Sequence, residues 1–220
     1  MKNLALAATC GALLLALAAC TSNSSTSPDA AAKRFTVTLR SVPGGPSPLS
    51  PGVFVVHDGG KPLFTQGALA GPALERQAED GDPSQLAMGA GTIFNTPVGD
   101  ASPGPATPGK YFSFSFEAAP GDRLSFSSMY GQSNDCFYAP ADAGMPLFDG
   151  QTPVTGDVTN RIYLWDAGTE INEPPGLGPN QAPRQGAPDT GPAESVGVDL
   201  VSHRDTYSYG SAIQAIIEAQ

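Results

Sequence analysis

Apolar and polar residues alternate with a period of two along several stretches of this chain, and this pattern constrains the fold most. Phe35, Val37 and Leu39 alternate with threonines and an arginine, and three phenylalanines alternate with serines in 112–116. A third alternating stretch is 123–126, and the predicted strand that contains it extends to Tyr130. Because successive side chains of a strand point to opposite faces, each stretch predicts a half-buried strand of an antiparallel sheet.

The remaining elements are also mostly predicted as strands. Residues 53–57 and 196–201 are β-branched and apolar, which favours inner strands, and 161–165 predicts a further strand. Residues 72–81 place a proline in the first turn and a glycine at the end, so they predict one short helix. The stretch 212–219 fits a helix or a closing strand, and its isoleucines favour the strand.

The N-terminal segment has the pattern of an export signal. After Lys2 the chain is almost continuously apolar up to Cys20, which is too short for a membrane-spanning helix. The sequence from Leu17 to Cys20 resembles a bacterial lipobox, in which cleavage before the cysteine is followed by lipidation of its thiol. We therefore expect a lipoprotein signal peptide over 1–19 and a lipidated Cys20. The alternative is an ordinary signal peptide in which Cys20 is incidental.

The chain beyond the signal divides into a tether and a domain. Residues 20–33 are small and polar, so they predict a flexible tether spanning roughly 20 Å, and 34–220 are expected to form one domain. Cys10 leaves with the signal and Cys20 carries lipid, so Cys136 has no partner for an intrachain disulfide. The net charge of -10 makes nucleic acid an unfavourable partner. Two loops rich in proline and glycine, 96–109 and 171–195, are expected to be functional or to be disordered insertions.

Acidic residues cluster where two of the predicted strands end. Asp166 and Glu170 bracket Gly168 after one strand, and Asp135 follows another. Calcium takes six to eight oxygen ligands, mostly from carboxylates and carbonyls, so these loops predict a calcium site if the strands lie side by side. Two alternatives are open from the residues alone: carboxylates that act as catalytic acid and base, and acidic turns that are simply solvated.

Four segments together resemble the spondin N-terminal domain, in particular its bacterial lipoprotein members. They are VHDGG (56–60), AEDGD (78–82), SMYGQSNDCF (128–137) and YLWDAGTEIN (163–172). The resemblance extends over about 35–220. It implies a C2-like antiparallel β-sandwich that binds calcium through loop carboxylates and acts as an adhesion or binding module rather than an enzyme. By motif, it implies that Asp135, Asp166 and Glu170 are the metal ligands.

Other chemically suggestive residues give weaker indications. Asp189, Thr190 and Gly191 match the aspartic-protease triplet, but no second copy is present to share a proton. His57 is interpreted as a strand-end residue bonded to a neighbouring loop rather than a catalytic base. Cys136 is interpreted as a buried free thiol, and Trp165 as a core residue. Asp80 and Asp82 follow the predicted helix and are interpreted as solvated acids rather than a second cation site.

The sequence as a whole predicts a lipid-anchored, extracytoplasmic calcium-binding module for adhesion or ligand binding. Its expected location is the cell envelope, on the outer membrane, and its expected partner is an unidentified protein or glycan. The alternatives are a hydrolase that uses loop carboxylates and a purely structural envelope lipoprotein.

Overall fold

The computed structural model describes residues 31–220 and is an all-β sandwich, as predicted. The predicted signal peptide, Cys20 and most of the predicted tether lie outside the described residues. The strands in chain order are β1 (Lys33–Ser41), β2 (Leu49–His57), β3 (Thr92–Phe94), β4 (Tyr111–Ala118), β5 (Arg123–Tyr130), β6 (Cys136–Ala139), β7 (Met145–Pro146), β8 (Phe148–Asp149), β9 (Thr152–Pro153), β10 (Gly156–Asp157), β11 (Tyr163–Asp166), β12 (Asp199–Leu200) and β13 (Ile213–Ala219).

The described chain has more helix than the single short helix predicted from the sequence. The helices are α1 (Pro72–Asp80), α2 (Ser84–Ala90) and α3 (Val201–Arg204), with a 3-10 turn at Thr159–Arg161. The first matches the prediction, since Pro72 begins it and Gly81 ends it in the left-handed conformation. The predicted strand 196–201 was wrong in extent: only Asp199–Leu200 pair as a strand, and Val201 begins α3.

The two sheets of the sandwich have antiparallel strand pairs. The smaller sheet has the order β10-β13-β1-β4, and the larger has the order β12-β11-β6-β5-β2-β3 with β7 added beside β5. The C-terminal stretch is a strand, as predicted, and it pairs with β1 along its length, from Phe35 opposite Ala219 to Ser41 opposite Ile213. A separate hairpin is formed by β8 and β9.

The main core lies between the two sheets. Phe35, Val37 and Leu39 of β1 are buried there, as the alternation predicts. Phe54 of the larger sheet stacks on Phe114 of the smaller one, with ring centroids 4.3 Å apart and an interplanar angle of 12°. Burial of large aromatic side chains contributes most of the favourable hydrophobic free energy of such a core.

A second core covers the outer face of the larger sheet. Leu74 and Ala78 of α1 pack there with Phe137 and Trp165, and Trp165 contacts Phe64 edge to face at 4.9 Å. This layer explains why β5 is buried on both faces, although its sequence predicted a half-buried strand. It also places α1 close to the acidic ends of β6 and β11.

Within residues 31–220, none of the helices is long and apolar enough to cross a membrane.

Candidate metal centre

Strand pairing brings the two predicted acidic loops together at one end of two neighbouring inner strands of the larger sheet. The antiparallel register of β11 and β6 sets Asp166 opposite Cys136, so Asp135 is adjacent to this pair. Oxygens of Asp135 and Asp166 and the Sγ of Cys136 lie within 4.8 Å of one another, and all three residues are buried. The expected approach of the two loops therefore occurs, although β6 rather than β5 is the neighbour of β11.

The carboxylate of Asp135 is asymmetrically bonded. Its Oδ2 accepts hydrogen bonds from the backbone N–H groups of Thr169 and Glu170, at 2.8 and 3.1 Å, and from the Thr169 hydroxyl at 3.3 Å. Its Oδ1 is buried and has no hydrogen-bond partner within the described chain. A buried carboxylate oxygen without a partner costs free energy, so this atom is the conspicuous defect of the site.

Asp166 is held by the turn that follows its own strand. Its Oδ1 accepts the N–H of Gly168 at 2.8 Å, and its Oδ2 accepts the side-chain amide of Asn172 at 2.6 Å. Gly168 has a φ of +70°, and a Cβ there would lie 2.4 Å from the carbonyl oxygen of Val196. The turn therefore requires glycine at 168, both for its left-handed backbone and for the close approach of the chain.

Glu170 has a different place from the one predicted. Its side chain accepts hydrogen bonds from the Asn134 amide at 3.2 Å and from the backbone N–H of Gly191 at 2.8 Å. Within residues 31–220, the carboxylate oxygens of Asp135, Asp166 and Glu170 do not all lie within 4.8 Å of one another. Its backbone N–H, by contrast, bonds directly to Asp135. In this structure Glu170 thus shapes the turn and ties the 171–195 loop to it.

Burial dominates the electrostatics of the site. It raises the pKa of Asp135 to about 7, and the neighbouring Asp166 carboxylate adds to this shift. Burial likewise raises the pKa values of Asp166 and Glu170. Within residues 31–220, no lysine, arginine or histidine nitrogen lies within 4.0 Å of these three carboxylates. The negative charge of the ionised site is therefore not neutralised by a side chain in contact with it.

Cys136 is a buried free thiol, as predicted. Its Sγ lies 3.7 Å from both Asn172 Oδ1 and the Tyr209 hydroxyl, and burial raises its pKa well above the ordinary value. Nucleophilic and metal-binding cysteines act as thiolates, which this environment disfavours. The donor atoms that remain at the site are oxygens.

A cleft of about 490 Å³ opens beside the acidic pair, next to the 171–195 loop. Asp166 and Asn172 form its inner wall, and Arg204 and Tyr207 line it from the segment after β12. The Nε of Arg204 is buried and has no hydrogen-bond partner within the described chain, and Tyr207 is 42% exposed. The cleft thus offers an exposed aromatic ring and is lined by an arginine whose Nε–H is an unpartnered donor.

A second group of acids was not recognised from the sequence. Oxygens of Glu75, Glu79 and Asp189 lie within 4.8 Å of one another. The spacing of the two glutamates, four residues apart in a predicted helix, was the available signal, because such residues lie on one face. The contact with Asp189 had no local signature, since that residue comes from the distant 171–195 loop.

The remaining candidates have structural places. His57 lies at the end of β2 and bonds to Gly59 O and Ser125 Oγ, at 2.8 and 2.9 Å, as predicted. Trp165 is 3% exposed and lies in the second core, also as predicted. Asp82 forms an ion pair with the Arg76 Nε at 2.7 Å, so it is more than a solvated acid.

Comparison of the chain with models of known protein families gives no match, and a comparison with curated proteins gives none either. The resemblance to the spondin N-terminal domain therefore stays a prediction.

Proposed function

We propose that the chain is a lipid-anchored, extracytoplasmic binding module that holds a calcium ion between Asp135 and Asp166. The observation that carries this proposal is the Oδ1 of Asp135, which is buried, unpartnered and close to a second buried carboxylate. A divalent cation would supply that oxygen with a ligand bond. It would also neutralise the charge that no contacting basic side chain neutralises in the described chain.

The donor atoms fit calcium better than other common cations. The donors at the site are carboxylate oxygens and the side-chain oxygen of Asn172, and these are the hard ligands that calcium prefers. Zinc would favour a Cys136 thiolate, which burial disfavours. Magnesium demands a tighter octahedron and keeps its waters. When bound, the ion would supply positive charge that fixes the turn from Asp166 to Glu170 and its loop.

The cleft beside Asp166 is the proposed ligand face. Asn172 donates to Asp166 and also lines the cleft, so an ion at the acidic pair would fix one wall of it. Arg204, which lines the cleft, is a donor side chain that suits an acceptor oxygen, and the exposed Tyr207 ring suits an apolar or sugar face. These features support a protein or glycan ligand.

Burial argues against the hydrolase alternative. Asp135 and Asp166 are both 0% exposed, so a substrate could not contact their carboxylates without rearrangement of the turn. A purely structural envelope protein is the other alternative, and it predicts no response to calcium. A calcium-binding measurement therefore separates this structural alternative from the proposal.

The test is calorimetric titration of chelator-treated protein with calcium chloride. We expect saturable binding that Asp135→Asn weakens at least about tenfold, which is about 1.4 kcal/mol. Magnesium chloride should give little heat. Glu117→Gln, which removes an exposed acid from β4, is the control and should bind as the wild type does. Unchanged calcium binding in Asp135→Asn would refute the assignment.

A further inference from the structure

The second acidic group lies where α1 meets the 171–195 loop. Glu75 and Glu79 project from one face of α1, and Asp189 reaches them from the loop, with ligand oxygens of all three within 4.8 Å of one another. Three carboxylates at such separations repel one another strongly when they are ionised. The arrangement therefore needs a compensating charge or proton.

The nearby basic side chain does not provide that charge. Arg76, on the same helix, is engaged by Asp82 at 2.7 Å and by Asp80 at 3.9 Å. Within residues 31–220, no lysine, arginine or histidine nitrogen lies within 4.0 Å of the Glu75, Glu79 or Asp189 carboxylates. Each of the three acids thus lacks an ion-pair partner in the described chain.

Glu79 supplies a second, independent observation. It is only 2% exposed, and the one side-chain donor beside its carboxylate in the described chain is the Thr169 hydroxyl. That hydroxyl also lies 3.3 Å from Asp135 Oδ2, and its single hydrogen can serve only one of the two carboxylates at a time. While Thr169 donates to Asp135, Glu79 is a buried carboxylate without a hydrogen bond, which is costly unless something else binds it.

The group can be reached from solvent. A small cleft of about 180 Å³ opens onto it, lined by the three acids together with Pro72, Arg76, Asp80 and Gln85. Asp189 is exposed, so an ion with its remaining waters could enter from that side. Calcium takes carboxylate oxygens and waters together as ligands, so such a cleft can complete its coordination.

We propose that Glu75, Glu79 and Asp189 form a second calcium site, separate from the one at Asp135 and Asp166. The ion would join α1 to the 171–195 loop, which the first site holds at its other end through Asn172. Thr169 lies between the two sites. Its backbone N–H bonds to Asp135, and its hydroxyl favours the charged form of the Glu79 carboxylate. Two ions would thus fasten the loop at both ends.

The test is the number of calcium ions bound per chain, measured by equilibrium dialysis of chelator-treated protein with calcium-45. The wild type is expected to bind two ions, one at each acidic group. Glu79→Gln should lose one of them while leaving the folded protein at least as stable, since it replaces a buried ionisable group by a neutral one of the same shape. Asp189→Asn, at an exposed position, should weaken the same ion at least about tenfold. Glu218→Gln, which removes an exposed acid from β13, should change neither ion.

The outcomes for the two sites are distinguishable. Loss of one ion in Glu79→Gln and Asp189→Asn, with Asp135→Asn retaining it, supports the second site whether or not the first exists. The same number of ions in Glu79→Gln, Asp189→Asn and wild type would overturn the proposal. In that case a loss confined to Asp135→Asn would still leave the first site standing.

Discussion

Thr169 donates both its backbone N–H and its hydroxyl to one oxygen, Oδ2 of Asp135, at 2.8 and 3.3 Å. The backbone N–H of Glu170 bonds to the same oxygen at 3.1 Å. The turn from Asp166 to Glu170 therefore satisfies one side of the Asp135 carboxylate and leaves Oδ1 without a partner.

The turn should depend on glycine at position 168. Gly168→Ala combines a positive φ with a Cβ placed 2.4 Å from Val196 O, so we expect a loss of about 3 kcal/mol or more in the free energy of unfolding. Gly60→Ala is the matched control, because Gly60 has a φ of +80° and nothing within 4 Å of a Cβ. Its loss should be about 1 kcal/mol. Equal losses in urea unfolding would show that the close approach at Gly168 is unimportant.

The calcium-free protein should become less stable as the pH rises from about 5 to about 8. Burial raises the pKa of Asp135 to about 7 and that of Glu79 to about 8, so the folded state holds protons that the unfolded state has released. Stability falls with pH wherever the folded state binds more protons. Urea unfolding in chelator at several pH values checks this, and a rise in stability over that range would contradict it.

The charged groups around this site are mostly acidic. The charge of Asp166 raises the pKa of Asp135, and Glu194 raises the pKa of Asp166, whereas the positive charge of Arg204 lowers it. Four exposed or partly exposed carboxylates have lowered pKa values, so the stability that they contribute is lost only at lower pH, below about 4. These four are Asp82, Asp142, Asp157 and Asp199. Saturating calcium should flatten the dependence, since it binds the ionised carboxylates.

Cys136 should be inert towards thiol reagents in the folded protein. It is fully buried, and burial raises its pKa well above the ordinary value, so little thiolate is available. Labelling with a chromogenic disulfide should be slow in native buffer and complete in denaturant, and calcium should slow it further by closing the adjacent turn. Rapid labelling of Cys136 in native buffer would show that the site is open.

Cys20→Ser should release the protein from the membrane, because the predicted lipid attaches to that sulfur. The measurement is partitioning into detergent and the membrane fraction of expressing cells. Cys136→Ser is the control for loss of a thiol and should leave the partitioning unchanged. A Cys20→Ser variant that stays in the membrane fraction would rule out lipid attachment at this residue.

The sequence predicted those parts of the fold that depend on local pattern. Strands β1 and β4 follow from alternation, and α1 from its terminal proline and glycine. It did not predict α3, because the apolar residues of 196–201 are buried by packing of Val198 and Val201 rather than by a long strand.

The candidate site, like the fold, was predictable from the sequence only in part. The approach of Asp135 and Asp166 was predicted, but through a pairing of β5 with β11; in the structure it depends on β6, which Asp135 immediately precedes and which pairs with β11. The direction of the Glu170 side chain was not predictable, because it depends on Asn134 and Gly191 in distant segments. The contact of Glu79 with Asp189 likewise joins a helix to a far loop, which no periodicity reveals.

The most direct test of the central claim is thermal unfolding with calcium and with chelator. The measurement is made in the Glu79→Gln background, so that the second acidic group does not contribute. At about a hundred times its dissociation constant, calcium adds about 2.7 kcal/mol, which should raise the Tm by several degrees. Asp166→Asn and Asp135→Asn should each abolish most of that rise and leave calcium-free stability equal or higher. A Tm indifferent to calcium, or a rise that survives both substitutions, would contradict a calcium site at Asp135 and Asp166.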